Sequence, residues 1–202
     1  YIMKKYFLIL FFFIITSVNS EPELINNKKE IIYLIENSWN SIDTMSGRFE
    51  QIDTDLNVET GNFYFDKPYK SKFSYDNKDE AIITGRLLIT VLDNEGYQVD
   101  SYPIGNSPIK NILSNDIKFE DIFKIISINK IFDEENSYQI TAVNKESNEP
   151  SWKVLFFFTL DDFTLKKWVI FDEFENKTVL EFTNIQKNIS IGQNIFVVRY
   201  RN

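Results

Sequence analysis

The chain has 202 residues and a formal net charge of −8, with 22 Lys and Arg against 30 Asp and Glu. It contains neither Cys nor His, which excludes a disulfide framework, thiol nucleophiles, His-based triads and the usual zinc sites. An acidic chain without a basic cluster is also a poor match to nucleic acid or to an anionic membrane surface.

Met3-Lys4-Lys5 leads into the apolar run YFLILFFFII, which gives way to TSVNS and then EPE. A short basic start, an apolar run and the small residues Val18 and Ser20 form the layout of a secretory signal. Tyr1 and Ile2 read as an upstream extension of the reading frame. The run is too short to span a bilayer, which takes about 20 residues. Residues 1–20 are therefore expected to be a cleaved signal peptide, with the exported domain at 21–202. No Cys follows the run, so the chain is not itself a lipoprotein precursor. Losing Lys4 and Lys5 takes the net charge from −8 to −10.

A helix comes next. Asn26 or Asn27 can cap it, Glu30 lies in its first turn, Ile31, Ile35, Trp39 and Ile42 recur at helical spacing, and Ser46-Gly47 closes it. Strands are predicted at RFEQID, GNFYFDK, SKFSYD, EAIIT, LLITVLD and YQVDS, the last two joined by the hairpin turn DNEG. Within GNFYFDKPYKSKFSY, alternation places Phe63, Phe65 and Lys67 on one face. Pro68 interrupts the strand, and Phe73 and Tyr75 restart the pattern.

Ser107 and Pro108 open a short helix presenting Ile109, Ile112 and Leu113, and FEDIFKII reads as a second helical piece. Strands resume at ISINKIF, SYQITAV, WKVLFFFT, TLKKWVIFD and TVLEFTNIQ, with a last one near IFVVRY. The connections are short and polar, as antiparallel neighbours require. Glu134-Glu135 and Asp161-Asp162 sit between apolar runs and read as solvated turns rather than acid/base pairs. The fold class is α+β, mainly β, in one domain.

Several strands are apolar on both faces. WKVLFFFT sets Trp152, Val154, Phe156 and Phe158 against Leu155 and Phe157, and TLKKWVIF sets Leu165, Val169 and Phe171 against Trp168 and Ile170. A sheet with one wet face alternates more cleanly, so a curved sheet covered on its concave side by the amphipathic helices is expected. That cover either packs an ordinary core or leaves an apolar cavity for a ligand with long hydrocarbon parts. The 19 Phe, 10 Tyr and 3 Trp suit both. The candidate cavity residues are Phe63, Phe65, Phe73, Tyr75, Trp152, Phe156, Phe158 and Trp168.

The order of elements and the local text resemble the periplasmic outer-membrane lipoprotein carrier proteins of the LolA type. MSGRFEQ, from Met45 to Gln51, is similar to that family's M-x-G-x-F-x-Q strand, and GNFYFDKP with KFSY to its G-x-(aromatic) strand and following aromatic pair. IITGRLLITVLD stands where the family has a hairpin strand, SPIKNIL resembles its lid helix, and LFFFTLDDFTLKKWVIFDEFENKTVLEFTNIQ follows its final pattern. The chain departs from the family at Lys67 (arginine there), Ser71 (apolar there) and Thr84-Gly85 (Asp-Gly there), and it lacks the glycine after Asp172.

The resemblance implies an incomplete antiparallel β-barrel under a helical lid made by Pro108, Ile109, Ile112 and Leu113. Lys67 is expected either to donate to the lid carbonyls around Ile109 to Leu113 or to snorkel to water past the strand end. It further implies a monomeric, cofactor-free, non-enzymatic periplasmic chaperone for the acyl chains of lipoproteins. Its partners would be an inner-membrane lipoprotein-releasing ABC transporter and an outer-membrane receptor of the LolB type. An exported lipid- or glycolipid-binding or lipoprotein-sensing module of the same fold is the alternative.

Overall fold

Runs of alternating apolar residues, punctuated by short polar turns, build one antiparallel sheet in a computed structural model that describes residues 23–24, 27–105, 107–132, 136–145 and 152–201. The signal segment and Glu134-Glu135 lie outside the described residues. In chain order the elements are β1 (Glu23–Leu24), α1 (Lys28–Asn40), β2 (Thr44–Ile52), β3 (Val58–Asp66), β4 (Lys70–Tyr75), β5 (Glu80–Thr84), β6 (Leu88–Asp93) and β7 (Gln98–Pro103). Then come α2 (Pro108–Ile112), α3 (Phe119–Ile122), β8 (Phe123–Ile131), β9 (Ser137–Asn144), β10 (Trp152–Thr159), β11 (Leu165–Asp172), β12 (Lys177–Lys187) and a 3-10 turn (Gln193–Phe196).

The spatial order is β1-β8-β9-β10-β11-β12-β2-β3-β4-β5-β6-β7. Two meanders, β2–β7 and β8–β12, are thus fused where β12 pairs with β2, from Val179↔Ile52 to Lys187↔Met45. Among the described residues β1 and β7 do not pair with each other, so the sheet curls without closing. This is the incomplete barrel. Its concave side is covered by α1, α2 and α3, whose Ile32, Ile35, Trp39, Ile112 and Phe119 join strand side chains in one apolar cluster.

Three hairpin tips share one construction. Asp53, Asp93 and Asp172 each turn a carboxylate oxygen back onto backbone N–H groups two and four residues on, at 2.8 to 3.0 Å. The fourth tip position then takes a left-handed φ, of 64° at Leu56, 83° at Gly96 and 61° at Glu175. Glycine suits that conformation best. Glu175 therefore occupies the place of the glycine missing after Asp172.

Four local expectations are corrected. Helix α1 ends at Asn40, and Ser46 and Gly47 lie inside β2. A Cβ at Gly47 would meet Thr183 O at 2.6 Å and the Phe63 ring at 2.8 Å, so close strand packing explains this glycine rather than a helix end. FEDIFKII is helical only to Ile122 and then enters β8. IFVVRY forms no strand; Arg199 alone makes a parallel bridge to Tyr97. A bulge between Phe157 and Phe158 pairs Phe158 with Leu165, turning Leu165 inward with Trp168 instead of outward with Val169.

Candidate functional site

Alternation on β3, β4, β11 and β12 sends Phe63, Phe65, Phe73, Trp168 and Phe182 to the concave side, where all are buried. Phe65 is the centre of this group. Its ring lies 4.9 Å from Phe63, 5.8 Å from Phe73, 5.9 Å from Phe182 and 6.4 Å from Trp168, the last stacked at 22°. Tyr75 continues the row against Phe49, and its hydroxyl donates to Gln51 Oε1 at 3.2 Å. Burial, with Glu59 and Glu80 nearby, pushes that phenol up to about 12.

A second lobe gathers around Phe119 of α3. Its ring lies 5.7 Å from Phe156, 6.1 Å from Phe158 and 5.6 Å from Phe123, and Phe123 lies 5.8 Å from Trp152. All eight predicted cavity residues therefore line one continuous interior. It is occupied by the protein's own rings and by the cover. A ligand must displace side chains to enter.

The cover is fixed by a short series of polar bonds along α1. Trp39 Nε1 donates to Ile112 O at 2.7 Å. Asn40 Nδ2 donates to Ile117 O at 3.0 Å, while Asn40 Oδ1 accepts from Ile117 N at 2.9 Å. Glu36 accepts from Phe119 N at 2.7 Å, and from the turn after β3 Tyr69 N donates to Leu113 O at 2.8 Å. Burial raises the Glu36 carboxyl, opposed by the Phe119 N–H and reinforced by Glu120. Beneath these bonds Ile112, Leu113 and Ile117 are completely buried, and Ile109 is partly so.

Lys67 does turn inward, but its acceptor differs from the expected one. Nζ donates to Trp39 O at 2.6 Å and lies 5.1 Å from the Trp39 ring centre. The carbonyls of Ile112 and Leu113 are already taken by Trp39 Nε1 and Tyr69 N. The lysine instead finds the Trp39 carbonyl at the end of α1, which it shares with the Ile42 N–H at 3.2 Å. Lys67 therefore reaches the lid only through Trp39. Burial pushes its ammonium down to about 8, against the pull of Asp43 and Asp116. At the neighbouring departure, Ser71 and Thr84 are both buried and share a 2.7 Å hydroxyl–hydroxyl bond.

Sequence reasoning picked out the ring positions, Lys67 and the lid helix, but it missed Glu36, Asn40 and the bridging role of Trp39. Trp39 was legible only as an apolar helix position. The polar end of its ring had no signal in the spacing. Asp162 has partners of another kind: burial alone would raise its carboxyl, but bonds from Lys187, Thr159 and Thr164 hold it well below the usual carboxylate range. Among the described residues no group of Asp and Glu has the arrangement of a metal site.

The family model for the outer membrane lipoprotein carrier protein LolA matches residues 40–199. The chain belongs to this family. It is a family of carrier and binding proteins rather than of enzymes. Among solved structures, an uncharacterized conserved protein from Thermus thermophilus is 9% identical with a TM-score of 0.50, over 85% of this chain and 98% of that one. A LolA superfamily protein from Nitrosomonas europaea is 12% identical with a TM-score of 0.44, over 82% and 97%. A DUF1329 family protein from Desulfovibrio piger is 11% identical with a TM-score of 0.48, over 84% and 96%. No curated protein sequence matches the chain. Among the described residues no helix is long and apolar enough to cross a membrane.

Proposed function

We propose that this LolA-family chain is a periplasmic carrier that shields the acyl chains of lipoproteins between the membranes. The chains would take the place of the cover side chains over Phe63, Phe65, Phe73 and Trp168, and of Phe119 over Phe156 and Phe158. The observation that carries this reading is the pairing of an apolar, aromatic-rich interior with a cover held by a few polar bonds. Burying one methylene is worth about 0.8 kcal/mol, so three chains of about 15 methylenes represent on the order of 30 kcal/mol or more against water. A carrier that kept all of it could not release its cargo. Here the cover competes for the same surface, which lowers the net affinity to something a relay can reverse.

Loading from an ABC-type extractor in the inner membrane and delivery to a LolB-type receptor belong to this proposal, as does export by a cleaved signal at residues 1–20. The test is displacement of an apolar fluorescent dye from the purified protein by a diacylated peptide and by its unacylated counterpart. Displacement by the acylated peptide alone is expected. Equal displacement by both would make the interior a peptide groove and overturn the carrier reading. Displacement by a free glycolipid in preference to the acylated peptide would move the protein to general lipid binding.

A further inference from the structure

Trp39 and Trp168 stand in the same apolar cluster with opposite hydrogen-bonding fates. Trp39 gives its indole N–H to Ile112 O at 2.7 Å. The Trp168 indole is as deeply buried, and its Nε1 has no hydrogen-bond partner among the described residues. Among the described residues the other buried polar side-chain atoms without a partner are the hydroxyls of Ser114 and Ser137, which can rotate. An indole N–H has one fixed direction and can only donate.

A buried donor left unmade is costly, and native interiors rarely keep one without a use. A trapped water is a poor partner here. It needs two to four polar neighbours, whereas the Trp168 ring is packed by Phe65 at 6.4 Å and Phe182 at 5.2 Å and paired across the strands with Phe156 and Leu180. Ser71, paired across the strands with Phe65, is already bonded to Thr84, which also donates to Tyr69 O at 3.3 Å. The donor therefore suits a guest that is apolar over most of its length and carries one acceptor.

We infer that the Trp168 indole N–H is the specificity contact for the carbonyl of an ester- or amide-linked fatty chain. This rests on the acyl-carrier reading and adds to it: the interior distinguishes an acyl chain from a plain alkyl chain. Displaced cover side chains make room for the hydrocarbon, and Trp168 Nε1 donates to the acyl oxygen, completing a bond that the empty protein lacks. Phe65, stacked on the same indole, holds the ring plane while this happens.

The test compares 1-palmitoylglycerol with 1-O-hexadecylglycerol, which have the same chain length but an ester in one and an ether in the other. Wild type is expected to bind the ester about three- to tenfold more tightly, the range of a single net hydrogen bond. Trp168→Phe keeps the ring, removes the donor and should bind both ligands alike, while the empty variant melts no lower than wild type. In 15N-labelled wild type, the Trp168 indole resonance, assigned by its contacts with the Phe65 and Phe182 rings, should shift with the ester and stay with the ether. That measurement stands even if the variant folds poorly. Equal affinities in wild type, or an indole resonance that does not distinguish the ligands, would overturn the inference and leave the carrier reading intact. If wild type bound neither ligand, both would fall.

Discussion

Around Phe65, rings from β3, β4, β11 and β12 meet at 4.9 to 6.4 Å, whereas along α1 the cover is fastened by bonds in which Trp39 and Asn40 donate to lid carbonyls and Glu36 and Asn40 accept from lid N–H groups. Ring contacts favour certain angles but weaken gradually as the rings slide. Hydrogen bonds weaken more steeply with distance and angle. The difference says which part of the molecule gives way first. On the carrier reading, the sheet and its aromatic floor are expected to persist while the α1–lid seam opens, so that one interior would serve as core in one state and as binding surface in the other.

The comparison breaks hardest at the floor. Phe65→Ala should cost about 3–5 kcal/mol of stability, because four rings lose their common neighbour and the rigid sheet around them collapses little into the space. Chemical denaturation gives the value. A loss near 1 kcal/mol would mean that the floor is already loosely packed.

At the seam the expected effect is smaller and local. Trp39→Phe keeps most of the buried area but removes the donor to Ile112 O, a loss of about 1–3 kcal/mol for a buried acceptor left unpaired. Hydrogen exchange should speed up across residues 109–119 and remain slow in β3 and β11. Uniform acceleration over the whole chain would show that cover and sheet open together.

The mildest test uses pH. Burial holds the folded Lys67 ammonium near 8, below its ordinary 10.5, so the folded chain gives up this proton before the unfolded chain does. The unfolded state then binds more protons, and stability rises as pH climbs from about 8 towards 10.5. Tyr75, held up to about 12, works in the opposite direction above its ordinary 10, which leaves pH 8 to 10 as the clean window. Over that window wild type should gain stability relative to Lys67→Leu. Parallel pH profiles would show that Lys67 is as solvated as an ordinary strand-end lysine.

Much of this was legible beforehand, for identifiable reasons. Period-two alternation located Phe63, Phe65 and Phe73, and Pro68 after Lys67 marked where the strand gives out beside the cover. The strand bearing Leu165 could not be read correctly, because a bulge shifts its register and leaves no mark in the pattern of apolar residues. Whether the concave face is filled was also out of reach. That depends on how far α1 and the lid settle into the sheet, and so on bonds such as Asn40 to Ile117 that join residues 77 positions apart. The acceptor of Lys67 was missed for the same reason: the competing claim of Trp39 Nε1 on Ile112 O is a property of the assembled seam.

The central claim is that hydrocarbon replaces the cover over the aromatic floor. Its most direct measurement is photo-crosslinking with a peptide whose fatty chain carries a terminal diazirine, followed by mapping of the labelled residues. Label is expected on the concave set, Phe63, Phe65, Phe73, Phe156 and Trp168, with faster hydrogen exchange in residues 109–119 of the loaded protein. Label confined to exposed positions such as Leu56, Val58 and Phe174, with the exchange of the cover unchanged, would contradict the account.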